Sequence, residues 1–81
     1  MSELRQRLWN GEALRILFSE GLGFDVWVEK YGNPPRVFCE GQALPIDRFD
    51  AVLQRVVAYL EQDGVRALWN GQIPVKRETA I

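Results

Sequence analysis

The stretch that decides the fold is Phe-Asp-Val-Trp-Val-Glu-Lys-Tyr, residues 24–31. Its residues alternate between an apolar set and a mixed set. The apolar set is Phe24, Val26 and Val28, and the mixed set is Asp25, Trp27 and Glu29. A period of two is typical of a β-strand, whose successive side chains point to opposite faces of the sheet. The stretch therefore predicts a strand with one apolar face and one face that combines charges with a tryptophan.

Two neighbouring stretches extend this strand into a sheet. Residues 12–18 alternate in the same way, and residues 36–40 form a shorter run after a turn signal of one glycine and two consecutive prolines, residues 31–35. With residues 19–23 and 32–35 as loops, the three strands form an antiparallel meander. Directly opposed residues must share a face. We therefore expect Phe18 opposite Phe24, Ile16 opposite Val26, Leu14 opposite Val28, Arg15 opposite Trp27 and Val28 opposite Cys39.

A long amphipathic helix is predicted over residues 48–62. Its apolar residues fall within one arc of a 3.6-residue wheel: Phe49, Val52, Leu53, Val56, Val57, Tyr59 and Leu60. Asp47 stands where an N-cap belongs, Asp50 adds negative charge to the first turn, and Asp63-Gly64 supplies a stop. We expect the apolar arc to pack on the inner residues of the sheet, which are Leu14, Ile16, Phe18, Phe24, Val26, Val28, Val37 and Cys39.

The sequence Leu-Trp-Asn-Gly occurs twice, at residues 8–11 and 68–71. Asn-Gly is a strong turn signal, so each copy has a local explanation. Before the sheet we expect a short N-terminal helix or hairpin that ends at Asn10-Gly11. After the helix, residues 65–69 and 72–76 are expected to form a C-terminal β-hairpin around Asn70-Gly71. The expected fold is one α+β domain over residues 1–81, with a three-stranded antiparallel β-meander packed against one long amphipathic helix.

Composition narrows the function. The 81 residues include no histidine and a single cysteine, so an intrachain disulfide and histidine-based catalysis are both excluded. We expect no metal site and no cofactor. A net charge of −1 argues against binding to duplex DNA or an anionic membrane by bulk charge. The sequence contains no run of 18 apolar residues, and residues 1–7 lack the apolar stretch that a signal peptide needs. We therefore expect a cytoplasmic protein without membrane contact.

The outer face of the meander is the candidate site. An exposed sheet face is normally polar, but this one carries Trp27, Tyr31 and Phe38 together with Arg15 and Arg36. The remaining residues predicted on it are Leu17, Asp25, Glu29 and Glu40. Three occupants are considered: the terminal segments of the chain or a second copy in a homodimer, a protein partner, or single-stranded nucleic acid stacked on the aromatic rings. The three acids count against nucleic acid.

The prediction is a small, non-catalytic binding or regulatory protein that acts through protein–protein contacts on this aromatic face, with Trp27, Tyr31 and Phe38 as anchors and Arg15 and Arg36 as polar contacts. The alternative is a single-stranded nucleic-acid-binding protein that uses the same face. A third hypothesis is an enzyme that uses carboxylate chemistry at Asp47 and Asp50, although the start of a helix explains both residues.

Overall fold

The computed structural model describes residues 2–18 and 21–69. Along the chain it contains helix α1 (Ser2–Trp9), strands β1 (Leu14–Leu17), β2 (Gly23–Glu29), β3 (Arg36–Cys39) and β4 (Gln42–Pro45), a 3-10 turn (Ile46–Arg48), helix α2 (Phe49–Leu60) and strand β5 (Arg66–Trp69). The described strands form one antiparallel sheet in the order β4-β3-β2-β1-β5. The predicted α+β class is therefore confirmed.

The sheet has more strands than the predicted three. The meander continues into β4 because Glu40 and Gly41 both adopt positive φ angles, 55° and 78°, as a tight two-residue hairpin turn requires. Strand β5 returns antiparallel to the far side of β1. It contains the first half of the predicted C-terminal hairpin, whereas the second half, residues 72–76, lies outside the described residues.

The pairing differs from the predicted register by two residues in both hairpins. Leu14 lies opposite Val26 and Ile16 opposite Phe24, while Val28 lies opposite Val37. A shift of two keeps every side chain on its predicted face, because the side-chain period of a strand is also two. The observed register brings opposite charges together across the strands, which the predicted register does not.

The sequence left a helix and a hairpin open at the N-terminus, and the structure has a helix there, α1. Its end is a Schellman motif: the N–H of Glu12 donates to the carbonyl oxygen of Arg7, and the N–H of Gly11 donates to that of Leu8. Gly11 has a φ of 101°, which side chains of L-residues rarely adopt. The first Asn-Gly pair is thus a helix stop, as its local sequence predicts.

Helix α2 begins at Phe49, after the 3-10 turn, and ends at Leu60. Asp47 lies inside the 3-10 turn, and the N-cap residue of α2 is Arg48, whose side chain makes no capping hydrogen bond. The predicted N-cap is therefore wrong. Asp50 lies in the first turn, as predicted, and forms an ion pair with Arg5 of α1. Gly64 has a φ of 84° in the connection to β5, beyond the end of the helix.

Both helices pack on the same face of the sheet. The buried cluster there combines Leu8 of α1, the α2 residues Phe49, Val52, Leu53 and Val56, and the strand residues Leu14, Ile16, Val26, Val28, Val37 and Cys39. Ala13 is also buried. Phe18, Phe24 and Tyr59 extend the cluster with ring contacts at centroid distances of 5.5 to 5.9 Å. We call this the inner face.

Candidate protein-binding face

The outer face is the other side of the sheet, where β1, β2 and β3 place alternate residues. Strand pairing adds two residues of β4 and two of β5 to the same side. Its residues are Arg15, Leu17, Asp25, Trp27, Glu29, Arg36, Phe38, Ala43, Pro45, Arg66 and Leu68. Because α1 and α2 both belong to the inner cluster, no described helix covers this face.

An aromatic pair occupies the centre of the outer face. Trp27 and Phe38 are directly opposed on β2 and β3, and their rings stack with centroids 4.5 Å apart and planes only 4° from parallel. The guanidinium carbon of Arg36 lies 5.0 Å from the Phe38 ring centroid. The aromatic and cation–π contacts therefore join three of the predicted site residues into one cluster.

Two ion pairs flank the aromatic stack. Arg15 Nη2 lies 3.1 Å from Asp25 Oδ2, and Arg36 Nη2 lies 3.4 Å from Glu29 Oε1. In each pair the partners are directly opposed on neighbouring strands, so the register positions them. Both arginines predicted to contact a ligand are therefore already paired with a carboxylate on the same face.

Two donors on the outer face lack an acceptor within the described part of the chain. They are the indole N–H of Trp27 and the Nε–H of Arg36, both buried beneath neighbouring side chains. A buried unpaired donor costs about 1–3 kcal/mol, so native proteins contain few. The outer face thus combines apolar rings with unmet hydrogen-bonding capacity.

Two residues predicted on the outer face lie elsewhere. Tyr31 is in the turn after β2, is 90% exposed, and contacts Lys30 rather than the stack. Glu40 turns toward α2 because of its positive φ, and its carboxylate accepts hydrogen bonds from Arg55 and from the hydroxyl of Tyr59. The structure therefore brings together Arg15, Trp27, Arg36 and Phe38 and separates Tyr31 from them.

Sequence reasoning did not place Leu68 on the outer face. Leu68 lies opposite Arg15 and is 54% exposed. Its position depends on the pairing of β5 with β1, which joins segments separated by the rest of the sheet and by α2. The second copy of Leu-Trp-Asn-Gly, residues 68–71, carries no information about this partner strand.

A separate polar cluster lies between the end of β3 and helix α2. It consists of Cys39, Glu40, Arg55 and Tyr59. The hydrogen bond from Arg55 lowers the pKa of the Glu40 carboxyl below its usual value. Burial raises the pKa of the Cys39 thiol to about 11, so the thiol stays protonated at neutral pH and is a packed group rather than a nucleophile.

Asp47 and Asp50 are both exposed, and Asp50 is engaged by Arg5. Within residues 2–18 and 21–69, no three metal-ligating side chains come together. None of the helices in this part of the chain has the length and apolar content needed to cross a membrane. No family model, curated protein or solved structure matches the chain.

Proposed function

We propose that this protein is a small, non-catalytic binding protein whose outer face docks a protein partner. The observation that carries the proposal is the Trp27–Phe38 stack at the centre of a sheet face that no described helix covers. Large, rigid aromatic side chains surrounded by polar groups are typical of the energetic centre of protein–protein contacts. We further propose that the protein acts in the cytoplasm, where a lone cysteine stays reduced.

The unpaired donors indicate what the partner supplies. Trp27 and Arg36 each offer an N–H group without an acceptor in the described residues. The Arg36 side chain is 43% exposed and its guanidinium lies over Phe38, so a small movement of this side chain opens its own Nε–H group to a ligand. A partner that presents carbonyl or carboxylate oxygens beside an apolar residue fits this arrangement.

Charge makes single-stranded nucleic acid the weaker candidate. A phosphate-binding face needs free cations, but Arg15 and Arg36 are each paired with a carboxylate. The rings of Trp27 and Phe38 also stack directly on each other, so a base cannot insert between them and has to stack on the exposed side of the ring pair. Arg66 is the remaining cation of the outer face.

The test uses a photo-crosslinking amino acid at Leu17, on the outer face, and at Ala58, an exposed position on α2. In the cells from which the protein comes, we expect one protein species to crosslink from position 17 and not from position 58. Unlabelled wild-type protein should compete for it, and the Trp27→Ala variant should not. Crosslinks that are equal at both positions would contradict the proposal.

The affinity of the purified pair provides the quantitative test. Trp27→Ala is expected to weaken binding at least tenfold, as for a residue at the centre of an interface. Tyr31→Ala, which removes an exposed aromatic ring away from the stack, should change binding less than about threefold on the same scale. Urea unfolding of both variants separates a loss of affinity from a loss of folded protein.

The nucleic-acid alternative predicts a different dependence on salt. Fluorescence anisotropy of labelled single-stranded DNA and RNA oligonucleotides, measured at about 50 and 200 mM salt, should show no saturable binding if the proposal is correct. Binding that is abolished by Trp27→Ala and falls steeply between the two salt concentrations would favour the alternative.

A further inference from the structure

An apolar groove lies on the inner side of β5, beside both helices. It has a volume of about 530 Å³, and its apolar lining residues are Leu4, Leu14, Val57, Leu60, Ala67 and Trp69. Leu4, Leu60 and Trp69 pack against the inner cluster but are only partly buried. The described residues therefore leave apolar surface accessible beside the last strand.

The groove has an acidic rim. Trp69, the last residue of β5, lies at one end of the groove, and Arg66 is the first residue of that strand. Glu61 follows α2 directly and begins the short connection to Arg66, so its exposed carboxylate lies at the other end. Glu3 of α1 adds a second exposed carboxylate to the lining. The groove is thus apolar along β5 and negatively charged beyond Arg66.

The sequence after Trp69 has the same order of properties. Residues 72–77 are Gln-Ile-Pro-Val-Lys-Arg. Ile73 and Val75 are two residues apart, so an extended backbone directs both side chains to the same side. Lys76 and Arg77 follow them directly. An apolar pair followed by a basic pair complements an apolar groove that leads to an acidic rim.

The length of this segment also fits the groove. If the chain reverses at Asn70-Gly71, a strong turn signal, residue 72 comes level with Trp69 and residue 75 with Arg66. The next two residues, Lys76 and Arg77, then come level with the connection that begins at Glu61. No other part of the chain needs to move for the two charged groups to meet.

The competing position for this segment is a sixth strand beside β5. The N–H of Phe18 donates to the carbonyl oxygen of Leu22, and antiparallel pairs alternate, so Ala67 and Trp69 direct their main-chain groups away from β1. A two-residue turn would then pair Ala67 with Pro74, which has no N–H to donate. Proline therefore interrupts a sixth strand at its third residue and favours a path away from the sheet edge.

We propose that residues 72–77 of this chain occupy the groove. Ile73 and Val75 pack against its apolar lining, and Lys76 and Arg77 lie beside its acidic rim. Because the segment is joined to β5 by two residues, its effective concentration at the groove is high. The inference does not rest on the proposed partner, since the groove and the outer face lie on opposite sides of the sheet.

The test measures distances by NMR in the full chain. We expect nuclear Overhauser contacts from the methyl groups of Ile73 and Val75 to those of Val57 and Leu60. An equal mixture of labelled and unlabelled chains should show none of these contacts in a spectrum that selects contacts between molecules.

Crosslinking provides a matched pair of variants. Carbodiimide should join the Lys76 amine to the carboxylate of Glu61 or Glu3 within one chain, as mass spectrometry of the digested protein identifies. Val75→Asp should lower the yield of this product at least tenfold, because it removes a buried apolar side chain from the groove. Thr79→Asp adds the same charge outside the segment and should leave the yield unchanged. Circular dichroism checks that both variants fold.

Three results would overturn the inference. Contacts from Ile73 to Leu68 would show that the segment continues the sheet as a sixth strand. Contacts to Val57 and Leu60 that arise only between molecules would make a second copy the occupant. The absence of contacts from Ile73 and Val75 to either helix, with equal crosslinking in both variants, would show that the segment does not bind the groove.

Discussion

The inner and outer faces of the sheet are made by alternate residues of the same strands, yet they differ in chemistry. The inner face is apolar and covered by two helices, and residues such as Ile16 and Val26 are fully buried. The outer face has half-buried aromatic rings and two ion pairs in contact with solvent. The inner face therefore contains most of the buried apolar surface, whereas the outer face keeps its polar groups in contact with solvent.

The comparison also explains why the sequence predicts the face of each side chain correctly but not the register of the strands. A shift of two residues changes every opposed pair but moves no side chain to the other face. On the inner face the shift exchanges one apolar pair for another. On the outer face it decides whether Arg15 opposes Trp27, as predicted, or Asp25, as observed. The apolar pairs of the inner face are compatible with both registers, whereas the ion pairs of the outer face form only in the observed one.

The largest expected effect comes from the adjacent positions Ile16 and Leu17. Ile16→Ala should reduce the free energy of unfolding by about 3 kcal/mol, because it leaves a cavity in a fully buried cluster. Leu17→Ala, on the half-buried outer face, should cost about 1 kcal/mol. Urea unfolding measures both. Equal losses would mean that the outer face is also packed in solution.

Trp27 comes next. Trp27→Ala removes the stack on Phe38 and should destabilise the protein by about 2 kcal/mol, less than Ile16→Ala because the site is only half-buried.

Trp27→Phe serves as the control, since it keeps an aromatic ring and removes the unpaired N–H. Its stability in thermal unfolding should equal or exceed that of the wild type. A large loss would show that the indole N–H has an acceptor in solution.

The ion pair between Arg15 and Asp25 should contribute less. A double-mutant cycle with Arg15→Gln and Asp25→Asn is expected to give a coupling energy below about 1 kcal/mol, because the Arg15 side chain is 40% exposed. The coupling should decrease as salt rises. A larger, salt-independent value would mean that the pair is shielded from water, as under a bound segment.

The smallest expected effect is on the loss of stability at acid pH. Arg55 lowers the pKa of Glu40 in the folded protein, so the folded state favours the ionised carboxylate. The resulting stabilisation is complete above the ordinary pKa of glutamate and disappears as the pH falls toward the lower folded-state pKa.

Glu40→Gln should therefore make stability less sensitive to pH in the acid range, measured by urea unfolding at a series of pH values. The part of the acid sensitivity that depends on Glu12, whose pKa is lowered by Arg7, should remain. An unchanged slope in Glu40→Gln would show that Arg55 does not hold this carboxylate in solution.

Local sequence patterns predict much of this fold. The period-two alternation around Phe24 and Val26 and the wheel of α2 identify the strands, the long helix and the two faces. Strand β4 is not predicted, because Gln42 and Ala43 have little β-propensity. The turn before it also requires a positive φ at Glu40, which residues other than glycine rarely adopt. The β1–β5 pairing escapes because no local pattern encodes a distant partner.

For the candidate site, too, the sequence predicts which residues share a face but not which residues are directly opposed. Parity alone places Arg15, Trp27, Arg36 and Phe38 on one face, and the structure brings them together. Parity also assigned Tyr31 to this face, but the strand ends at Glu29 and the alternation ends with it. The direct Trp27–Phe38 stack depends on the register, which parity leaves undetermined by multiples of two residues.

The return of β5 to β1 also sets the order in which the chain can assemble during synthesis. Strands β1 to β4 are joined by short turns, so each can pair soon after it emerges. Leu14 meets Trp69 only after 55 further residues, roughly 3–10 seconds at typical translation rates. Throughout that interval one side of β1 has no neighbouring strand, and the emergence of Trp69 completes the described part of the sheet.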